Sequence, residues 1–93
     1  MNANRVKALG VPESWAYGDT NDTKSGVHRV LICYPVQKDG RDENYAYCVN
    51  LAVNGEWWLI SNAQVGDAHY VEPVGPFPNF DSAHAAWLIV GHR

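Results

Sequence analysis

Alternation of apolar and polar side chains predicts three consecutive strands in the middle of the chain. Apolar residues recur at every second position in 27–37, 44–54 and 56–61, which is the period of a strand. Asn54-Gly55 separates the second segment from the third, and this dipeptide is typical of a two-residue hairpin turn. The pattern predicts a sequential antiparallel meander, with a weaker fourth strand over 69–74.

The two ends of the chain carry other patterns. Near the start, Pro12 favours a short helical turn over 11–17, and the polar residues 18–26 then predict a loop. Near the end, Asp81 or Ser82 can cap a helix that stops at Gly91. The predicted inner side of this helix carries Ala83, Ala86, Trp87 and Val90.

These elements together predict one domain over residues 1–93 with an α+β fold. The fold is a three- to four-stranded antiparallel sheet with the C-terminal helix packed on one face.

The adjacent pair Trp57-Trp58 has to be divided between the two faces of the sheet, because successive strand residues point to opposite sides. A two-residue turn at Asn54-Gly55 would pair Leu51 with Trp58 on the inner face beneath the helix, and Trp57 would point outward. The same parity places further first-strand residues on the inner face, namely Val30, Ile32, Tyr34 and Val36. It places Arg29, Leu31, Cys33 and Pro35 on the outer face.

The outer face is therefore the predicted surface for a protein partner. Its proposed partner-binding residues are Trp57, Leu59, Leu31, Asn54 and Glu56. An exposed aromatic side chain is a typical binding anchor. In the alternative, the N-terminal segment covers Trp57, with Trp15 and Tyr17 stacked on it.

Composition and charge limit the classes of partner. Hydrophobic residues make up 46% of the chain, and the net charge is -3 from seven basic and ten acidic residues. The basic residues are scattered, whereas phosphate binding needs them clustered, so no direct nucleic-acid contact is expected. No apolar run approaches the roughly 18 residues of a membrane span, and residues 1–7 lack the apolar core of a secretory signal. We expect a cytoplasmic location and no membrane association.

No arrangement of residues in the sequence predicts a catalytic centre, a metal site or a cofactor. Cys33 and Cys48 fall on the same predicted outer face, and free thiols are expected in a reducing compartment. The segment 19–30 resembles a calcium loop only in its first half, because Lys24 replaces the required glycine. A small enzyme or ligand-binding domain that uses histidine, aspartate and cysteine groups is the alternative function. Its candidate pairs are Asp67 with His69 and Asp81 with His84.

Two stretches of the sequence resemble the architecture of a known class of small proteins. They are Asn54-Gly55-Glu56-Trp57-Trp58 within a meander, and Gly75-Pro76-Phe77 followed by Phe80-Asp81-Ser82-Ala83 at the entry to a last helix. In this respect the chain resembles small accessory proteins of phages and mobile elements, including anti-CRISPR and other anti-defence inhibitors. The resemblance implies a non-enzymatic inhibitor that occupies a surface of a host protein or protein complex. A minor structural protein of a phage is a further alternative.

Overall fold

The structure is a computed structural model that describes residues 1–36 and 45–92. Within these ranges the helices are α1 (Ala3–Ala8) and α2 (Phe80–Val90). The strands are β1 (Trp15–Asp19), β2 (Thr23–Lys24), β3 (Val27–Pro35), β4 (Tyr47–Ala52), β5 (Trp57–Ser61) and β6 (Val74–Phe77).

The strands form an open antiparallel sheet in the order β1-β3-β4-β5-β6, and β2 pairs with β3 outside this path. Helix α2 packs against β4, β5 and β6. The predicted α+β fold, with an antiparallel sheet and a C-terminal helix on one face, is confirmed. The sheet is larger than expected, because β1 and β2 join the central strands. The predicted fourth strand over 69–74 is misplaced, since β6 spans Val74–Phe77. Among the described residues, no helix is long and apolar enough to cross a membrane.

The N-terminal part differs most from its prediction. Residues 3–8 form a helix capped by the side chain of Asn2. Pro12 does start a turn, in which the N–H of Trp15 donates to the carbonyl oxygen of Pro12 at 3.0 Å, but the rest of the predicted range from Trp15 onward is strand β1. Trp15 explains the difference, because its indole packs edge-on against Phe80 and Trp87. Burial of this large ring against α2 holds its segment at the edge of the sheet, and tertiary packing overrides local propensity.

Helix α2 ends before Gly91 as predicted but begins earlier than expected. Asn79 is the N-cap, and its side-chain oxygen accepts a hydrogen bond from the backbone N–H of Ser82 at 2.8 Å. The buried residues of the helix are Phe80, Ala83 and Trp87. The prediction that Val90 lies on the inner side is wrong, since this side chain is exposed.

The hairpin between β4 and β5 has a three-residue loop over 53–55 instead of a two-residue turn. The N–H of Ala52 donates to the carbonyl oxygen of Glu56 at 2.8 Å, and the N–H of Gly55 donates to that of Ala52 at 3.0 Å. Gly55 has a φ of 90°, which fits a type I turn followed by a left-handed residue in a bulge. One extra loop residue pairs Leu51 with Trp57 in place of Trp58.

This register inverts the predicted faces of β5, because a shift of one residue moves every side chain to the other side. Trp57 is only 3% exposed and packs edge-on against Phe80 of α2, with ring centroids 5.6 Å apart. Trp58 points to the opposite face and is half-buried. The prediction that Trp58 is core and Trp57 is outward is therefore wrong.

The faces of β3 are inverted as well. Leu31 pairs with Leu51 and Cys33 with Val49, so both lie on the α2 side, and both are fully buried. A register shift between Arg29 and Leu31 marks a bulge in this strand.

Candidate functional site

The predicted partner surface around Trp57 does not exist as an exposed patch. Leu31 and Leu59 are fully buried, and Trp57 lies beneath α2, so these three residues are part of the core. Asn54 and Glu56 lie apart from them in the hairpin loop. The side-chain oxygen of Asn54 accepts the N–H of Glu56 at 3.1 Å, which stabilises the turn. The N-terminal segment is not the cover of Trp57; helix α2 is.

Consecutive exposed apolar residues lie on the outer side of α2 instead. We define the apolar stripe as Ala85, Leu88 and Ile89, which are all exposed. Leu88 and Ile89 follow Ala85 by three and four residues along the helix. The exposed fraction is 58% for Leu88 and 84% for Ile89. Asp81 and His92 are exposed beyond the two ends of the stripe. The stripe is an apolar surface with polar ends.

A second unusual feature is on the open face, which we define as the face of the sheet opposite α2. Two basic side chains, Lys24 and Arg29, are buried there at 8% and 6% exposure. The hairpin between β2 and β3 positions both residues. Its turn has positive φ at Ser25 (55°) and Gly26 (82°), as a type I′ turn requires.

The guanidinium of Arg29 donates hydrogen bonds to one carboxylate and to one side-chain amide. Its Nη2 donates to Oδ2 of Asp22 at 2.7 Å, and its Nη1 donates to Oδ1 of Asn50 at 3.2 Å. Asn50 is fully buried and donates to the carbonyl oxygen of Cys48. The Nε of Arg29 is buried and has no hydrogen-bond partner within the part of the chain that the structure describes. One donor of a buried guanidinium is thus unsatisfied.

Lys24 crosses the open face to the end of β5. Its Nζ donates to the carbonyl oxygen of Ser61 at 2.8 Å, which ties the β2–β3 hairpin to a strand two positions away in the sheet. Burial lowers the pKa of Lys24, and the neighbouring charge of Arg29 lowers it further. In the described ranges, no ion pair joins Lys24 to a carboxylate within 4.0 Å.

A cavity of about 390 Å³ opens beside these two cations. We call it the open-face cavity; its lining includes Asp22, Lys24, Arg29, Tyr34, Asn62 and Gln64. Sequence reasoning missed this site, because residues 18–26 were interpreted as a loop and Arg29 as one residue of an alternating strand. The Ser25-Gly26 dipeptide is the signal that could have identified the hairpin.

The two thiols lie on opposite faces of the sheet, which corrects their predicted common face. Cys33 is in the core on the α2 side, and Cys48 is on the open face near Lys24; both are free and buried. Burial raises the pKa of Cys33 to about 12 and that of Cys48 to about 11. Both groups are protonated at neutral pH, which makes them poor nucleophiles.

We expect the thiols to make the fold sensitive to alkali. Each folded-state pKa lies above the 9.0 of a free cysteine thiol, so the folded chain binds more protons there and the free energy of unfolding falls as pH rises above about 9. The stability is fully present below pH 9 and is lost progressively up to about pH 11–12. Urea unfolding at pH 7.5 and pH 10 measures this. The variant with Cys33→Ala and Cys48→Ala should lose less stability over that interval than the wild type, and an equal loss would contradict the cause.

The histidine and aspartate residues that are the candidate pairs for an enzyme make contacts that stabilise the fold. Asp67 accepts the backbone N–H of His69 at 2.8 Å, as in a turn. His84 stacks on Phe80 and packs edge-on against Trp15, so its ring belongs to the aromatic contacts of α2. Among residues 1–36 and 45–92 no group of three or more His, Cys, Asp or Glu side chains is placed to hold a metal ion.

Comparison with known proteins finds no relative of this chain. No protein family, curated protein or solved structure matches the chain.

Proposed function

We propose that this chain is a small non-enzymatic protein-binding module, and that the apolar stripe of α2 docks into an apolar groove of another protein. The observation that carries the proposal is the exposure of Ile89, at 84%, directly beside exposed Leu88. Single exposed apolar residues are ordinary on protein surfaces, whereas adjacent ones on one helix face indicate an interaction site.

The spacing of the stripe supports a helix-in-groove mode of binding. Ala85, Leu88 and Ile89 stand at positions i, i+3 and i+4 of a helix, which is the spacing of the anchors that amphipathic helices present to grooves. The opposite side of α2 is already packed on the sheet. The helix is thus held in place before binding, which lowers the entropic cost of association.

The proposed occupant is a different protein and not a second copy of this chain. A stable symmetric interface needs about 800 Å² from each partner. The stripe and the exposed Val90 beside it are four side chains on a helix of 11 residues, and Asp81 and His92 are the polar residues beyond its two ends. A concave partner can enclose such a convex stripe, while two copies would meet only along a narrow line.

More specifically, we propose that the partner is a host defence protein or complex and that binding inhibits it, as in anti-CRISPR proteins. This choice of partner is supported by the resemblance of the chain, a small α+β fold with a final helix, to anti-CRISPR proteins. The buried, protonated thiols also favour binding over nucleophilic catalysis.

The test is affinity capture from a lysate of the host cells with three tagged proteins: the wild type, Ile89→Lys and Val53→Lys. Val53 is a matched control, because it is 63% exposed but lies in the β4–β5 hairpin loop. Lysine suits the last turn of a helix, so Ile89→Lys should fold normally. We expect one protein that the wild type and Val53→Lys capture equally and that Ile89→Lys captures at least about tenfold less.

Two results would contradict the proposal. One is a captured protein that binds Ile89→Lys as well as it binds the wild type. The other is concentration-dependent self-association of the wild type in sedimentation that Ile89→Lys removes, because the stripe would then be the contact between two copies.

A further inference from the structure

The two edge strands of the sheet differ in their capacity to pair with another strand. In the part of the chain that the structure describes, β1 and β6 each have a neighbour on one side only. β6 contains Pro76 and is flanked by Pro73 and Pro78, and proline has no N–H with which to pair. β1 contains no proline, lysine or bulge, and its one charged residue, Asp19, is the last of the strand. The edge at β1 therefore lacks the features that block strand addition.

The hydrogen bonds of β1 show which of its backbone groups point away from β3. In an antiparallel pair, every second residue exchanges both bonds with its partner, and the residues between them direct theirs to the other side. The N–H of Thr20 donates to the carbonyl oxygen of Val30 at 3.3 Å, so the even-numbered residues of β1 bond to β3. The N–H and C=O of Tyr17 therefore point outward, as do the N–H of Asp19 and the C=O of Trp15. Among the described residues, no strand pairs with this side of β1.

An open groove lies beside the same residues, between β1 and α1. We call it the edge groove; its volume is about 350 Å³, and its apolar and aromatic lining is Val6, Val11, Pro12, Trp15 and Tyr17. Tyr17 is 36% exposed. Trp15 and Tyr17 supply both outward backbone groups and part of the groove wall. A strand that bonds to this backbone would therefore have its side chains beside the groove at every second position.

We infer that the β1 edge binds an extended peptide segment of another protein, which joins the sheet as an antiparallel strand and places apolar side chains in the edge groove. Backbone hydrogen bonds to a free edge, with pockets for alternate side chains, define this mode of recognition. Residues directly opposite each other in a sheet have side chains on the same face. The peptide residues that bond to Tyr17 and Asp19 therefore direct their side chains toward the groove.

The dimensions of the site favour a peptide over a second copy of the chain. β1 has five residues, which is about 17 Å of strand, whereas a stable symmetric interface needs about 800 Å² from each partner. Symmetric pairing of two β1 strands would also bring two copies of α1 to the same side of the joined sheet. A single extended segment has no second layer to accommodate. The site shares no residue with the apolar stripe, so it goes beyond the proposed docking of α2.

The experiment is NMR of the ¹⁵N-labelled full chain with a synthetic peptide, followed by chemical shifts and amide hydrogen exchange. The probe is a nonapeptide, blocked at both ends, in which three valines alternate with four threonines between terminal lysines. In the free chain, we expect slow exchange for Ala16 and Gly18, which bond to β3, and fast exchange for Tyr17 and Asp19. The peptide should shift the signals of Tyr17 and Asp19 saturably and slow their exchange at least about tenfold.

Two N-methylated forms of the probe are matched controls. Methyl groups on the three valine amides remove the donors that face β1, and this form should bind at least about tenfold more weakly because buried acceptors lose their partners. Methyl groups on three threonine amides replace donors that point away from β1. This second form should bind within about threefold of the unmodified peptide, since no hydrogen bond to the chain is lost.

Two variants at position 17 test the same contact from the side of the protein. Tyr17→Pro removes the outward N–H together with the ring, and Tyr17→Ala removes the ring alone. Neither removes a hydrogen bond between β1 and β3, because the N–H of Tyr17 points away from β3. Tyr17→Pro should therefore bind the probe at least about fivefold more weakly than Tyr17→Ala. The N-methylated peptides keep the test decisive if Tyr17→Pro fails to fold.

Three results overturn the inference. The first is the absence of a saturable shift at Tyr17 and Asp19, and the second is equal binding of the two N-methylated peptides. The third is self-association of the wild type in sedimentation that Tyr17→Pro abolishes, because the β1 edge would then belong to a second copy. None of them decides the docking of α2, since Ile89 lies outside the edge groove.

Discussion

Trp57→Ala should cost about 3–5 kcal/mol of unfolding free energy, because it removes a buried indole from beneath α2 and leaves a cavity. Trp57 is 3% exposed, and its ring contacts Phe80 edge-on. A domain of this size has only about 5–15 kcal/mol in total, so the loss is a large part of its stability. Urea unfolding followed by circular dichroism measures it.

The neighbouring Trp58→Ala is the matched control for the same hairpin. Trp58 is half-buried on the open face, so its removal exposes less apolar area and should cost about 1–2 kcal/mol. If Trp58→Ala proves the more destabilising of the two, the register of β4 and β5 is wrong, since only a shift of one residue exchanges the two rings.

Trp87→Ala should also cost about 3–5 kcal/mol, because this buried indole packs against β1 and is hydrogen-bonded to β4. Its ring packs edge-on against Trp15 of β1 with centroids 4.9 Å apart. Its Nε1–H donates to the carbonyl oxygen of Tyr47 at 2.7 Å. Gly91 lies directly against the indole, where a Cβ would overlap Cδ1 of the ring.

The variant Trp87→Phe separates the contribution of ring packing from that of the indole hydrogen bond. It keeps most of the apolar area but leaves the buried carbonyl oxygen of Tyr47 without its donor, which costs about 1–3 kcal/mol. Leu88→Ala is the control on the same helix, and it should change stability by less than about 1 kcal/mol because Leu88 is exposed. Equal losses for Trp87→Ala and Leu88→Ala would mean that α2 presents a different side to the sheet.

The sequence predicts the three central strands and the last helix well, because their patterns are local. The alternation in β4 places Val49 and Leu51 on the inner face, and the structure pairs them with Cys33 and Leu31 on the α2 side. Gly91 marks the end of α2 correctly. These signals depend on the spacing of side chains along one element, so no tertiary information is needed.

The choice of face depends on loop length, which the sequence does not specify. Asn54-Gly55 is compatible with a two-residue turn, but only Gly55 of the pair has positive φ, and the loop gains one residue. The alternation in β3 does not correct the error, because both of its faces carry apolar residues: Leu31 and Cys33 on one side, Ile32 and Tyr34 on the other. Because the faces of all three strands are assigned from this one turn, an error of one residue in its length places the whole candidate surface on the wrong side of the sheet.

The open-face cavity was beyond sequence reasoning for a related reason. Lys24 and Ser61 are 37 residues apart, and their contact needs the β2–β3 hairpin to fold across the sheet. Burial of Lys24 opposes the usual preference of lysine for solvent. Only the three-dimensional arrangement shows that this residue faces an open volume beside Arg29.

Helix α2 buries the face of the sheet with Leu31 and Leu59 and presents Leu88 and Ile89 to solvent. Paramagnetic broadening of methyl NMR signals by a soluble, uncharged spin probe tests it most directly, since all four side chains have methyl groups. We expect strong broadening for Leu88 and Ile89, and sharp signals for Leu31 and Leu59 at the same probe concentration. Broadening of Leu31 and Leu59 with protection of Leu88 and Ile89 would contradict it.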